Sequence, residues 1–180
     1  MIFLLAQTPF TDSLRAPGPI PQQAAKMTLY DALIGDWEAD VIDYGPDGAK
    51  LTGKGEWHFA WVLEGRAIQD VWISPKRSER NSKQAAANRY GTSIRVYDPK
   101  NDVWHVTWIN PVSGAFNTLD GRKEGDAIVQ EGTYNGAKIR WVFDNITPRS
   151  FHWRGEVSED DGRTWRLASE FFGRRASKSK

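Results

Sequence analysis

Along most of the chain, hydrophobic and polar residues alternate with a period of two, the spacing of a half-buried strand. Trp37, Ala39 and Val41 alternate with Glu38, Asp40 and Ile42, and this first strand ends at the turn Gly45-Pro46-Asp47-Gly48. A second strand covers 51–62, with Trp57, Phe59 and Trp61 on one face and Glu56, His58 and Ala60 on the other. Gly65 turns the chain into a third strand, Arg66 to Ile73. The polar stretch 74–89 that follows is the one long internal connection, of the kind that serves as a lid. Hairpins then succeed one another: 91–98 and 103–110 flank Asp98-Pro99-Lys100-Asn101-Asp102, and a short strand at 114–119 ends at Asp120-Gly121. The strands 126–134 and 138–147 flank Asn135-Gly136, and 150–158 and 164–173 flank Glu159-Asp160-Asp161-Gly162. Ten short strands joined by short links predict an all-β protein, a single up-and-down antiparallel barrel.

Ahead of the strands, Pro9, Pro17, Pro19 and Pro21 with Gly18 predict an extended arm over 1–26 with no regular helix. Residues 28–35 predict one short helix, with Thr28 as its cap, Asp31 at the capping-box spacing and Gly35 just past its end. The expected organisation is an arm over 1–26, a barrel over 27–174 and a basic tail over 175–180, with no internal repeat.

Composition narrows the function classes. Nine tryptophans in 180 residues exceed what a core of this size needs for bulk, and an indole with its one N–H suits a cavity wall. Net charge is +1, but Arg174, Arg175, Lys178, Lys180 and the cations of 76–89 leave an acidic remainder, which argues against a nucleic-acid partner. No apolar run approaches the roughly 20 residues that span a bilayer. Met1 to Ala6 is too short for a signal core, so the expected location is the cytoplasm, with no membrane partner. Without cysteine there is no disulfide, thiolate metal site or cysteine nucleophile.

Leu33-Ile34-Gly35-Asp36-Trp37, after a short helix and opening the first strand, resembles the Gly-x-Trp opening of the calycins, the relatives of lipocalins and fatty-acid-binding proteins. In that superfamily the tryptophan plugs the closed end of the barrel under a basic residue of the last strand. The resemblance implies Arg166 or Arg174 for that part, and an interior ligand site. Val62-Leu63-Glu64-Gly65-Arg66 and Tyr97-Asp98 resemble a bacterial family of calycin-like domains of unknown function. That likeness spans about 30–173 and brings no catalytic residue with it.

The strand pattern alone leaves open which face is inside, because one bulge inverts it. With the indoles inward, Trp57, Trp61, Trp72, Trp104, Trp108, Trp141 and Trp153 are the candidate wall for a small apolar or aromatic molecule, with Asn117 among the groups that orient it. His58, His105 and His152 each sit mid-strand next to tryptophan. The alternative is a cofactor-free isomerase, cyclase, lyase or decarboxylase in the same barrel. There His105, His152 or Asp70 would move the proton and Arg66 would hold an anionic group. A structural reading, with indoles filling the barrel solidly, is the third. Glu56, Asp144 and Glu170 also interrupt apolar runs, with Arg95, Arg140 and Arg154 as partners. No cofactor is expected; haem held through one histidine, as in some calycin relatives, is the exception left open. No zinc spacing, no Gly-x-Ser-x-Gly and no phosphate loop occurs. A homodimer through the arm and strand edges is compatible with the pattern.

Overall fold

The computed structural model describes residues 9–80 and 89–177. Within them ten strands close into one antiparallel barrel, each bonded to its neighbours in sequence, with the last returning to the first. They are β1 (Gly35–Tyr44), β2 (Lys50–Val62), β3 (Ala67–Ser74), β4 (Arg89–Asp98), β5 (Val103–Asn110), β6 (Ala115–Glu124), β7 (Ala127–Tyr134), β8 (Ala137–Asp144), β9 (Ser150–Ser158) and β10 (Arg166–Arg175). Closure decides the question that alternation left open. Trp37, Ala39 and Val41 of β1 and Trp57, Phe59 and Trp61 of β2 are buried inside, and their polar alternates face out. Each enclosed indole removes roughly 200 Å² from water, about 5 kcal/mol as an upper bound. The aromatic interior therefore outweighs the outer ion pairs, worth about 1 kcal/mol or less each.

Turn chemistry explains the links. Asn135 and Gly136 both take positive φ, at 51° and 82°, as the two-residue β7–β8 hairpin requires. Asp120-Gly121 is not a turn: β6 runs on to Glu124. Gly121 faces inward, where an added Cβ would collide with the Tyr30 hydroxyl. Asp120 faces out and pairs with His105 across β5.

The N-terminal segment departs from expectation twice. Pro9–Leu14 forms a short α-helix, α1, within the stretch expected to be extended. Pro9 occupies its first position, where a missing N–H costs nothing, and the other prolines fall beyond its end. The helix expected over 28–35 is reduced to a 3₁₀ turn at Asp31–Leu33 without a side-chain cap, and Gly35 already belongs to β1. Burial outcompetes local propensity here, because Met27, Tyr30 and Leu33 are driven whole into the barrel's end.

That end is sealed. Trp37 Nε1 donates to the Leu33 carbonyl at 2.7 Å, and Phe151 meets its ring edge-on at 4.8 Å. The cation over Trp37 is Arg175, at 3.7 Å from the ring centre, and not Arg166 or Arg174. A register irregularity at Leu167/Ser169 precedes it in β10, and pairing across β1 sets Arg175 opposite Trp37 while Arg174 turns outward to Asp40. Arg175 also donates to the carbonyls of Ile34 at 2.7 Å, Ala32 at 3.1 Å and Pro148 at 3.2 Å. Among the described residues no helix is long and apolar enough to cross a membrane.

Candidate functional site

The interior is closely packed around Trp37, with a cavity of about 430 Å³ beside Leu29, Tyr97, Trp104 and Gly121, and it opens again toward the other end. Trp61 and Trp104 belong to the buried aromatic core, with Trp104 edge-on to Tyr30 at 5.1 Å and beside Tyr97 at 5.5 Å. Beyond Trp57 the interior widens into a cavity of about 210 Å³. Trp57, Trp72, Trp108, Trp141, Trp153 and Phe171 form its apolar wall, and Arg89, Ser93, Arg95, Asn110 and Ser169 interrupt that wall.

Glycines keep the cavity from being filled by its own indoles. Trp72 lies over Gly55 and Trp108 over Gly91; a Cβ on either glycine would collide with the indole that covers it. Each ring therefore lies along the wall instead of projecting into the lumen. Phe171 is sandwiched between Trp72 (centroids 4.5 Å apart, planes 9° apart) and Trp153 (4.3 Å, 20°). Trp141 stands edge-on to Trp108 at 6.2 Å. Such offset and edge-on contacts hold the rings in fixed orientations.

The charged groups inside are matched in pairs. Asp70 and Arg95, 0% and 1% exposed, form a buried ion pair between β3 and β4. Asp70 Oδ1 also accepts the Ser93 N–H at 3.2 Å, and the guanidinium stacks over Tyr30 at 5.1 Å and Phe59 at 5.4 Å. At the rim Arg89 pairs with Asp43 at 3.1 Å, which also accepts the Ser169 hydroxyl at 2.6 Å. Burial pushes the Tyr30 hydroxyl well above its usual range, so it stays neutral. Several buried polar atoms have no partner among the described residues: Trp57 Nε1, Arg95 Nε, Tyr30 Oη, Asn117 Oδ1 and both amide atoms of Gln130.

Five of the seven tryptophans expected in the wall line the cavity; Trp61 and Trp104 pack into its floor instead. Asn117 is buried on β6 but is not in contact with the cavity. Of His105, Asp70, His152 and Arg66, only Asp70 points into the barrel. His105 projects outward between Asp120 at 2.8 Å and Asp98 at 3.5 Å, and its hydrogen bond to Asp120 raises its pKa. His152 lies outside between Asp144 at 3.0 Å and Glu170 at 2.9 Å, stacked on Phe172. Arg66 is on the surface with Glu64. His58 is also outside, 2.6 Å from Asp36. Strand parity explains this: each histidine neighbours an inward tryptophan and so must face out. With no histidine on the cavity wall, the donor set does not fit a histidine-held haem there.

Arg89, Ser93, Asn110, Ser169 and Phe171 were not singled out from sequence. One signal was available: Gly91, Ser93, Arg95 and Tyr97 share the inner face of β4, a mostly polar row between β3 and β5, whose inner faces carry indoles.

Comparison with solved structures shows the calycin-like barrel. The S-type phycobiliprotein lyase CPES from Guillardia theta matches at a TM-score of 0.57 and 11% identity, over 89% of this chain and 100% of that one. Rv2717c from M. tuberculosis matches at 0.58 and 14%, over 88% and 99%. At such identities the likeness is one of fold. No family model and no curated protein matches the chain.

Proposed function

We propose that the barrel binds one small hydrophobic or aromatic molecule in its tryptophan-lined cavity. The observation that carries this is the open space of about 210 Å³ between indoles held back by glycine. Apolar cavities of roughly 150 Å³ accept a benzene-sized guest, so this one suits one ring or two fused rings. Planar guests gain both apolar burial and offset stacking against Trp108, Trp141 and Trp153. Among the described residues no aspartate, glutamate or histidine lines the cavity, which favours binding over proton transfer. A phycobiliprotein lyase built on the same fold is in keeping with a barrel that handles a small molecule.

Titration with naphthalene, followed by tryptophan emission, tests the reading. The expected result is saturable quenching at one molecule per chain. Native mass spectrometry of freshly purified protein adds a second view, a retained small molecule being the supporting result. If no one- or two-ring aromatic gives saturable binding, the reading is wrong.

A further inference from the structure

We propose that the closed end of the barrel carries a second binding site, for a small organic anion with an aromatic body. It is separate from the tryptophan-lined cavity and does not rest on that reading. The N-terminal plug fills this end unevenly. Met27, Tyr30 and Leu33 pack with Trp37 in one buried core, while Lys26, Thr28 and Leu29 line the cavity of about 430 Å³ beside it. Three links bound that space, contributing Asp102 between β4 and β5, Asp126 between β6 and β7, and Ile146 between β8 and β9. Gly121 belongs to its wall, where a Cβ would collide with the Tyr30 hydroxyl.

The lining divides by chemistry. Buried Tyr97, Trp104 and Ile128, with half-buried Leu29 and Ile146, make its inner part apolar and aromatic. Lys26, Arg122 and Lys123 are exposed at its rim, and none has an ion-pair partner among the described residues. By contrast, Lys76, Arg140, Arg154 and Arg174 each hold a carboxylate within 3.0 Å. Two carboxylates share the lining, Asp126 and Asp102, and Asp102 accepts the Tyr97 hydroxyl at 2.6 Å. Three cations against two carboxylates leave the rim positive. A guest with rings and an anionic group uses both parts: the rings bury against Trp104, and the anion meets the cations. A neutral ring system gains only the first contact.

Two probes with the same rings separate these points: 8-anilinonaphthalene-1-sulfonate and N-phenyl-1-naphthylamine, which lacks the sulfonate. Both are titrated into the intact protein and followed by their own emission. Exposed charge contacts are each worth up to about fivefold in affinity, so three weak ones give about tenfold. The sulfonate is therefore expected to bind once per chain, about tenfold more tightly than the amine, and more weakly as salt rises. Combining Lys26→Gln, Arg122→Gln and Lys123→Gln, all at exposed positions, should bring the two probes to within about twofold. Amide NMR shifts on adding the sulfonate should fall at Leu29, Gly121 and Ile128, with Gly55 and Gly91 at the other end unmoved. Equal affinities, or a triple variant that binds both probes as the native protein does, overturn the requirement for an anion. Shifts at Gly55 and Gly91 alone, or no saturable binding of the sulfonate, overturn the site itself. Naphthalene quenching reports on the other cavity and is independent of every one of these outcomes.

Discussion

Half of a buried ion pair is more harmful than none, and Asp70 with Arg95 offers a clean place to measure it. Both side chains are enclosed, and among the described residues each has few alternatives: Asp70 retains only the Ser93 N–H at 3.2 Å besides its cation, and Arg95 Nε has no hydrogen-bond partner. Asp70→Leu leaves the guanidinium buried without a counter-charge, and Arg95→Met leaves the carboxylate in the same position. Each single change should cost about 3–5 kcal/mol, a large part of the roughly 5–15 kcal/mol that holds a domain together. For a chain of this size that is a fall of about 10 °C or more in Tm. Asp70→Leu combined with Arg95→Met removes both charges and fills the space with apolar groups, so it should cost far less than the sum of the singles. The coupling between the two sites should be about 2–3 kcal/mol or more. Urea unfolding followed by circular dichroism, with m-values compared to confirm two-state behaviour, gives all four free energies. Single variants within about 1 kcal/mol of the native protein, or strictly additive losses, would refute the reasoning.

The remaining expectations concern other layers of the molecule. Arg175→Ala removes the stack on Trp37 and three carbonyl contacts and should cost about 2 kcal/mol, with Arg175→Lys recovering less than half; equal stability of all three proteins would remove the end-cap argument. Gly91→Ala pushes Trp108 off its wall and should weaken naphthalene binding at least tenfold while the far-ultraviolet spectrum is retained; unchanged affinity would show that the indole does not bound the site. Burial raises the pKa of Glu56, but hydrogen bonds from the Arg77 side chain and backbone outweigh that and bring it down to about 2. A depressed carboxylate contributes stability above its unfolded value, lost as pH falls from about 4.5 toward 2; Glu56→Gln should flatten that part of the acid unfolding curve, by about 1 kcal/mol because Arg77 is largely exposed. His105, raised by its hydrogen bond to Asp120, contributes stability below about pH 6.5 that is lost as pH rises through its folded value; Asp120→Asn should return its NMR titration toward the ordinary range, and an unmoved midpoint would contradict the pairing.

The residues themselves determined a good deal. Period-two alternation and turn residues depend on local backbone geometry, so the strands, the Asn135-Gly136 hairpin, the up-and-down order and the opposition of indole and charged faces were all legible. The same parity grouped the candidate wall tryptophans on one face, and five of the seven line the cavity. Tertiary structure decided what parity cannot. Inside and outside are defined only once β10 returns to β1, and that closure sent Trp57 and Trp72 inward and His105 and His152 outward. Register across β1 and β10 chose Arg175 over Arg166 and Arg174 for the cap. Gly121 resembled a turn residue until Tyr30, from the plug, claimed the space beside it. Pairing of Asp70 with Arg95 arose because hydrogen bonding between β3 and β4 brought two inward polar residues together, where burial leaves each no better partner than the other.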